Sequence, residues 1–381
     1  MNYRQKKVGI LGGGQLGRMI YEEVLKWDLD LHFMDKDRSF PVGKVCPLFT
    51  EGDFTKYEDV LAFGQDKDIV TIEIESVNLE ALLELRKQGV TIHPSPDALK
   101  IIKDKGLQKM FYEANEIPSS NFQLYQDVES IKSDIANGNL NYPFVQKART
   151  GGYDGKGVAV IRSEQDLMKL LPSASLVEDM VPIEKEIGLI VARNENGETQ
   201  VYDPVEMVFD EEANLVDYLF APASLPNGIE KKAKDIAIEL ITKLNICGLL
   251  AVEYFLDKNG HLLVNEVAPR CHNSGHHSIE ACETSQFEQH IRGVMNMPLG
   301  NVALTTPAVM VNLLGQPEVS GPVHYEGMKS CLAKGNVHLH FYGKEETKPS
   351  RKMGHATITD KDLQKAIEKA KFVKNHLKVT V

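Results

Sequence analysis

Glu253 and Glu266 stand in two apolar runs, Leu249–Leu256 and His261–Val267, that flank Asn259-Gly260, a strong short-range hairpin signal. A two-residue turn at Asn259-Gly260 pairs Lys258 with His261 and sets Glu253 directly opposite Glu266. A four-residue loop, Asp257–Gly260, leaves the two acids as diagonal neighbours on one face, and a one-residue slip separates them. Carboxylates facing each other across a ladder repel. A hard cation between them reverses that sign, and Mg²⁺ is bound through one or two carboxylates together with substrate phosphates. A solvated strand face is the plain alternative, since antiparallel sheets often face water on one side. The stretch Pro269-Arg270-Cys271-His272-Asn273-Ser274-Gly275-His276-His277 weighs against it, because a guanidinium, imidazoles and an amide crowd just beyond the second acid.

Two glycine-rich stretches offer phosphate chemistry. Strand Val8–Leu11 runs into Gly12-Gly13-Gly14-Gln15-Leu16-Gly17 and a helix, Arg18–Lys26, and a second strand, Leu31–Met34, ends at Asp35. Gly12, Gly14 and Gly17 satisfy GxGxxG, and Asp35 falls near the ~20-residue offset of a ribose ligand. Alone, this favours a dinucleotide; yet such a turn holds any phosphate through backbone N–H groups, or none. The second stretch, Arg149 to Gly157, lies between strands Phe144–Lys147 and Val158–Ile161. It contains no GxxxxGK[ST] and no helix follows, so it reads as a flexible hairpin flap folding backbone donors over phosphates, with a mobile turn as the alternative. Lys147 can reach those phosphates as a point charge. Leu176–Pro182 reads as a strand passing into a linker that can meet an adenine edge, with Glu178 accepting from its amine; Glu186 follows on another strand, Glu186–Ala192. Gly343-Lys344 and Ser350-Arg351-Lys352-Met353-Gly354-His355 form the one basic cluster, which suits a phosphate unless it is a solvated turn.

These residues need a sizeable scaffold. At 381 residues the chain has room for two or three cores. A net charge of −11 argues against a nucleic-acid binder. No apolar run approaches the ~18 residues of a membrane span, and glycines break the N-terminal apolar run, so it does not read as a signal peptide. Five unclustered cysteines fit reduced thiols in a cytoplasm, Cys271 among them as an inert small side chain. The opening βαβ pattern continues into strand Ile69–Ile74, where Glu73 and Glu75 share a face, with helix capping as the alternative for Glu75. Helix Leu79–Lys87 and strand Val90–His93 follow. Ser95-Pro96 then starts a helix whose stripe is Leu99, Ile102, Met110 and Phe111. A first domain closing near Ser95 is too short for a whole dehydrogenase. Helices are expected at Val128–Ala136, after Ser163-x-x-Asp166, at Ile229–Leu244, from the capping box Ser285-x-x-Glu288 to near Pro298, and at Asp360–Asn375. A third segment from Thr306 carries short strands at Val309–Leu313, Cys331–Ala333 and Val337–Tyr342.

The ordered set of Lys147, flap, Glu178, Glu186 and the paired acids resembles the ATP-grasp fold. Within it, GGGQLG, TxExExV, GGYDGKG, NExAPRxHNSGH, SQFEQH and RKMGH together resemble the N5-carboxyaminoimidazole ribonucleotide synthase family. The resemblance implies an α/β and α+β architecture: a Rossmann-like N-terminal domain (1–95), an ATP-grasp domain (96–305, flap 151–157) and a small β-rich C-terminal domain (306–381). It implies carboxylation of aminoimidazole ribonucleotide by ATP and bicarbonate through carboxyphosphate and CO₂. It also implies a cytoplasmic homodimer with no nucleic-acid or membrane partner. Under it Glu253 and Glu266 hold Mg²⁺ or Mn²⁺. Lys105, Lys147, Gly152, Tyr153, Asp154, Gly155, Lys156, Gly157 and Val158 position ATP, with Phe209, Asn265 and Glu266 near the nucleotide. Glu178, Asp179, Met180 and Val181 read adenine, and Glu186 the ribose. Arg270, His272 and Asn273 meet bicarbonate and the product; Tyr153, Asp154 and Glu73 orient the imidazole; Gln15, Leu16, Lys344, Arg351 and Lys352 hold the ribonucleotide phosphate. Either Asp154 or His272 moves the proton. Three residues depart from the family pattern: Lys105 where an Arg is expected, Phe209 for a His, and Cys271 for a Pro. An NAD-linked oxidoreductase, another ATP-grasp ligase and a non-catalytic nucleotide sensor are the competing readings.

Overall fold

The computed structural model describes residues 3–152, 157–210 and 215–381. Strands β1 (Lys7–Leu11), β2 (Asp30–Asp35), β3 (Phe49–Glu51), β4 (Ile69–Ile72) and β5 (Thr91–Ile92) form a parallel sheet in the order β3-β2-β1-β4-β5. Nearly every position of β1 and β4 is buried, which is why they read as continuous apolar runs. The strand order reverses between β1 and β4, so the glycine turn after β1 and Glu73 after β4 both sit at the switch point, where open α/β sheets bind ligands.

Ser95 caps the next helix by accepting from the Ala98 N–H at 3.2 Å, with Pro96 in the first turn. The single helix expected there is two, Pro96–Ile102 and Lys105–Ala114. Asp104 breaks it: its carboxylate accepts from the N–H groups of Gly106 and Leu107, restarting the helix, and Met110 is left exposed.

A small antiparallel sheet follows, β6 (Phe122–Tyr125), β7 (Phe144–Ala148), β8 (Val158–Ile161) and β9 (Ser175–Asp179), in the order β6-β9-β7-β8. The helix Val128–Ala136 lays Ile131 against its apolar face, beside Tyr125, Phe144, Ile161 and Val177. The helix expected after Ser163 is only a 3-10 stretch, Glu164–Lys169, because Asp166 turns back to accept from the Arg162 N–H.

The central sheet contains β10 (Ile183–Arg193), β11 (Thr199–Val201), β12 (Val205–Asp210), β13 (Leu215–Ala221), β14 (Gly248–Asp257) and β15 (Leu262–Ala268). It continues through β16 (Ala308–Leu314), β17 (Val337–Phe341) and β18 (Lys352–Thr359). The order is β15-β14-β10-β12-β13-β16-β18-β17, with β11 beside β10. The main C-terminal strands thus extend the central sheet across the β13–β16 pairing and do not start a sheet of their own. Cys331, expected in a strand, lies in the short helix Met328–Leu332. The helix Ile229–Lys243 buries Ala233, Ile236, Ala237, Leu240 and Ile241 beneath one end, and Leu363–His376 covers the other.

Helix Gln286–Val294 is buried almost all round and packs between the central sheet and the helix Gln15–Val24. Ser285 accepts from the Glu288 N–H as a cap. Glu288 does not complete the capping box: it pairs with Arg292 and Lys26. The helix stops at Val294, short of Pro298, where Asn296 takes a positive φ. Among the described residues no helix is long and apolar enough to cross a membrane. All five cysteines are free, and Cys271 is buried.

Candidate active site

The hairpin of β14 and β15 closes through neither expected loop. Asp257 donates its N–H to the His261 carbonyl and Gly260 donates to the Asp257 carbonyl, each at 2.9 Å, and Gly260 takes φ +83°. This is a three-residue loop of the turn-plus-left-handed-glycine type. Its register, Leu256 to Leu262 and Tyr254 to Val264, would set Glu253 against Asn265. A bulge between Glu253 and Tyr254 inserts one residue on β15 and restores Glu253 opposite Glu266. The two acids face each other as expected, but through two irregularities that cancel. A bulge re-aims the side chain it inserts: Asn265 accepts from Lys147 Nζ at 2.8 Å.

Three acids converge here. Burial pushes the Glu253 carboxyl up, and the facing charges of Glu266 and Glu186 push it further. Burial also pushes Glu186 up to about 7, against the pull of Lys147. Burial opposes ionisation of Glu266 too, but its ion pair with Lys105 outweighs this and keeps it charged. His272 Nε2 stands 3.5 Å from Glu253 Oε1. Among the described residues, no group of three or more His, Cys, Asp or Glu is arranged to hold a metal ion by itself.

Glu178 lies in the opposite situation. Lys147 and Lys109 reach its two oxygens at 2.6 and 2.7 Å, and Ser120 Oγ donates to it at 2.7 Å. Burial works against its charge, yet the two ammonium groups hold its carboxyl down at about 2. Its side chain is thereby occupied by the protein's own donors. In the linker that follows, Asp179 accepts from the Asn121 amide and Met180 is exposed.

The loop after β15 is anchored on the first sheet. Arg270 Nε lies 2.8 Å from Glu75 Oε1. Glu75 therefore does not cap the following helix; Asn78 does, accepting from the Ala81 N–H. His272 Nδ1 contacts Ser274 Oγ at 2.9 Å, and Asn273 Oδ1 is buried with no hydrogen-bond partner among the described residues. Burial pushes the Cys271 thiol far up, in keeping with an inert side chain.

The glycine turn after β1 is filled by the chain itself. Gly13 donates to Asp35 at 2.7 Å, and Gly14 and Gly17 donate to Glu73 at 2.9 and 3.0 Å. Burial pushes Glu73 up to about 7 against those two N–H groups. Asp35 and Glu73 thus take the donors that a dinucleotide pyrophosphate would use, which removes the basis of the oxidoreductase reading. Gln15 is half-buried on the first turn of its helix, whereas the Leu16 side chain belongs to the core and leaves only backbone for a ligand.

The C-terminal basic segment meets this helix. Lys44 Nζ donates to the Gly343 carbonyl at 2.9 Å, and a Cβ on Gly343 would lie 2.2 Å from Arg18 Nη1. Lys344 donates to the Lys352 carbonyl and Arg351 to the Glu346 carbonyl, each at 2.6 Å. On the nucleotide side, the flap strands close through the Ala148 N–H to the Gly157 carbonyl at 2.8 Å. Gly152 and the exposed Val158 flank the tip, while Tyr153, Asp154, Gly155 and Lys156 lie outside the described residues. Phe209, on β12, packs against the cluster of Val205, Met207 and Leu219.

Known proteins with this arrangement settle the family. Residues 5–103 match the ribonucleotide synthetase preATP-grasp domain, 110–287 the ATP-grasp domain, and 308–369 the phosphoribosylaminoimidazole carboxylase C-terminal domain. The N5-carboxyaminoimidazole ribonucleotide synthase of Bacillus subtilis is 34% identical over 355 residues, covering 92% of this chain and 90% of that one. The chain belongs to the N5-carboxyaminoimidazole ribonucleotide synthase family. The crystal structure of the Thermotoga maritima synthetase superposes with a TM-score of 0.91 at 42% identity, covering 99% of both chains. An Aspergillus clavatus synthase, solved with ADP and 5-aminoimidazole ribonucleotide, gives 0.89 at 28% identity, over 98% of this chain and 99% of that one. The chain spans about two thirds of the length of the fungal phosphoribosylaminoimidazole carboxylases it matches, such as that of Candida albicans at 34% identity over 97% of this chain and 66% of that one.

Within this family site, several residues went unread in the sequence. Lys109 is one, and a signal for it existed: it follows Lys105 by one helical turn and so shares its face. Arg149, clasped by Asp104 at 2.9 and 2.7 Å, anchors the flap's first strand to that same helix. Arg18 and Lys44 join the basic segment only in three dimensions, and no local pattern marks them.

Proposed function

We propose that this chain is an ATP-dependent ligase of purine biosynthesis. It carboxylates 5-aminoimidazole ribonucleotide with bicarbonate, giving N5-carboxyaminoimidazole ribonucleotide, ADP and phosphate. The observation that carries this reading is Glu253 facing Glu266 beside Lys105 and Lys147, with Arg270, His272 and Asn273 immediately after in the chain. A solved relative holding both ADP and the ribonucleotide supports it.

The residues fit a divalent cation. Two facing carboxylates, one of them short of positive charge, match the few protein ligands that Mg²⁺ takes when phosphates supply the rest. Glu253 and Glu266 would hold Mg²⁺, or Mn²⁺ in its place. When bound, it neutralises charge on the phosphates during transfer. Lys147 and Lys105 hold the triphosphate under the 151–157 flap, the Asp179–Val181 backbone meets adenine, and Glu186 the ribose. An oxygen of bicarbonate attacks the γ-phosphorus as the bond to ADP breaks. Carboxyphosphate then releases phosphate, and the CO₂ carbon takes a bond from the substrate's exocyclic amine, which gives up a proton. The Arg270 guanidinium suits the planar oxyanion. Either His272, whose Nδ1 accepts from the Ser274 N–H, or Asp154 moves that proton. Gln15, the Leu16 backbone, Lys344, Arg351 and Lys352 hold the ribonucleotide phosphate, and Glu73 with Tyr153 lines the imidazole side. The enzyme works as a cytoplasmic homodimer built from regions 1–95, 96–305 and 306–381.

The test is coupled ADP formation with bicarbonate, in the presence and absence of the ribonucleotide. ADP should form at full rate only with the ribonucleotide. ADP released with an amino acid and not with the ribonucleotide points to another ligase; none with any acceptor points to a nucleotide sensor.

A further inference from the structure

Gln286 is fully buried at the start of its helix, and its carboxamide is spent on the loop that carries His272. The His272 N–H donates to Gln286 Oε1 at 2.9 Å, and Gln286 Nε2 donates to the His272 carbonyl at 2.7 Å. The two bonds fix both ends of the amide. The second hydrogen on Nε2 meets His276 Nδ1 at 3.1 Å, which makes that nitrogen the acceptor. A Cβ on Gly275 would lie 2.5 Å from Gln286 Oε1, so the loop is pressed directly onto the amide.

From His276 the contacts continue into the C-terminal strands. Its ring lies 4.8 Å from that of His355, on β18, and edge-on to Tyr342. His355 Nδ1 meets the Tyr342 hydroxyl at 3.1 Å, and its ring stacks on His340 at 4.4 Å. His340 in turn meets Glu280 at 2.6 Å, on the short helix Ser278–Ala281 that follows the loop. Burial disfavours the charged forms of His276 and His355, so their contact is ring packing between uncharged imidazoles. β18 begins at Lys352, in the basic segment assigned above to the ribonucleotide phosphate.

We propose that Gln286 is a positioning residue that sets His272 and Asn273 for carboxyl transfer and ties them, through His276 and His355, to the strand that carries the phosphate-binding end. The proposal rests on the carboxylase reading. Under it, the buried imidazole–tyrosine set holds the two ends of one substrate at a fixed spacing. A displacement of about 1 Å in a positioned group can cost on the order of a hundredfold in rate. Gln286 is fully buried and its amide bonds go to His272 and His276, not to the paired acids, so its loss should act on transfer and not on ATP binding.

The test uses Gln286→Glu, which keeps size and the acceptor but can keep at most one of the two donations, and Tyr342→Phe, which removes only the bond to His355. Wild type is assayed alongside; if it forms no ribonucleotide-dependent ADP, the carboxylase reading itself has failed. With active wild type, Gln286→Glu should lower kcat by about 10- to 100-fold and leave KM for ATP within about twofold. It should also raise the ADP formed per carboxylated product. Tyr342→Phe should move the same ratio in the same direction, to a smaller extent. Should Gln286→Glu fail to fold, the Tyr342→Phe ratio decides alone. An unchanged product ratio, with kcat altered only in step with thermal stability, would reduce Gln286 to a packing residue and overturn the proposal.

Discussion

Glu178 is buried and Glu253 half-buried, both under the influence of Lys147, yet their electrostatic states are opposite. Glu178 is surrounded by two ammonium groups and a hydroxyl, all supplied by the chain. Glu253 is surrounded by Glu266 and Glu186, and the lysine nearest the pair, Lys105, is committed to Glu266. The first acid is satisfied by its own fold and serves to aim Lys147. The second is short of positive charge: among the described residues the pull of Lys105 and Lys147 does not outweigh burial and its acidic neighbours, and a nucleotide alone, being an anion, deepens the shortfall. Only a cation arriving with the phosphates reverses it. Burial alone therefore does not mark a binding site; the sign of what the chain leaves uncompensated does.

The largest expected effect lies at the uncompensated pair. Glu266→Gln should lower turnover by about a thousandfold or more, while the fold survives because Lys105 can turn to Glu253. Coupled ADP formation and a thermal melt measure the two halves of that statement, and activity within tenfold of wild type would break the contrast. Next comes the self-satisfied acid. Lys109→Met leaves Glu178 half-paired in the interior, and breaking a buried pair from one side costs about 3–5 kcal/mol. Its urea midpoint should fall sharply. Glu253→Gln, by contrast, should leave the nucleotide-free midpoint unchanged or raised. Equal losses in the two variants would erase the distinction.

How much of this could be read from the chain depends on range. That Glu253 and Glu266 stand on neighbouring strands of one hairpin was legible because strand alternation and an Asn-Gly signal are local. The three-residue loop and the bulge that rescues the register were not, since no residue type announces Asn265 as an insertion. The parallel first sheet was legible from its apolar runs. That Asp35 and Glu73 would fill their own glycine turn was not: GxGxxG with a trailing acid looks the same whether the acid meets a ribose or a backbone N–H. Asp104 does not stand out as a cap because the apolar stripe runs on past it. The C-terminal strands read as a separate unit because a sequence does not show that β16 pairs with β13.

Smaller than these is a dependence on pH. Glu186 is raised from 4.5 to about 7, and Glu253 is raised as well, so between those limits the folded chain binds more protons than the unfolded one. Stability contributed by these groups is then present at low pH and declines as pH rises through about 7. Glu178 has the reverse sign: its contribution is present above 4.5 and is lost as pH falls toward about 2. The melting temperature of nucleotide-free protein should therefore fall from pH 6 to pH 9. Mg-ATP should flatten that limb by binding the deprotonated acids. A melting temperature that rises over the same span without nucleotide would contradict the charge shortfall.

The smallest effect tests how the pair is held in register. Gly260 takes φ +83° with open space where a Cβ would stand, so Gly260→Ala meets backbone strain and no clash. The cost should be about 1 kcal/mol. If the turn alone set the register, that strain would reach Glu253 and Glu266 and lower kcat. The bulge at Asn265 lies between the turn and the acids, and Asn265 is pinned by Lys147, so the pairing beyond it is fixed independently. Gly260→Ala should melt slightly earlier with kcat unchanged, whereas Asn265→Ala, which frees the pinned residue, should lower kcat severalfold. A reversed ranking of the two variants would place control of the register in the turn, and the pair would then owe its facing to the hairpin loop.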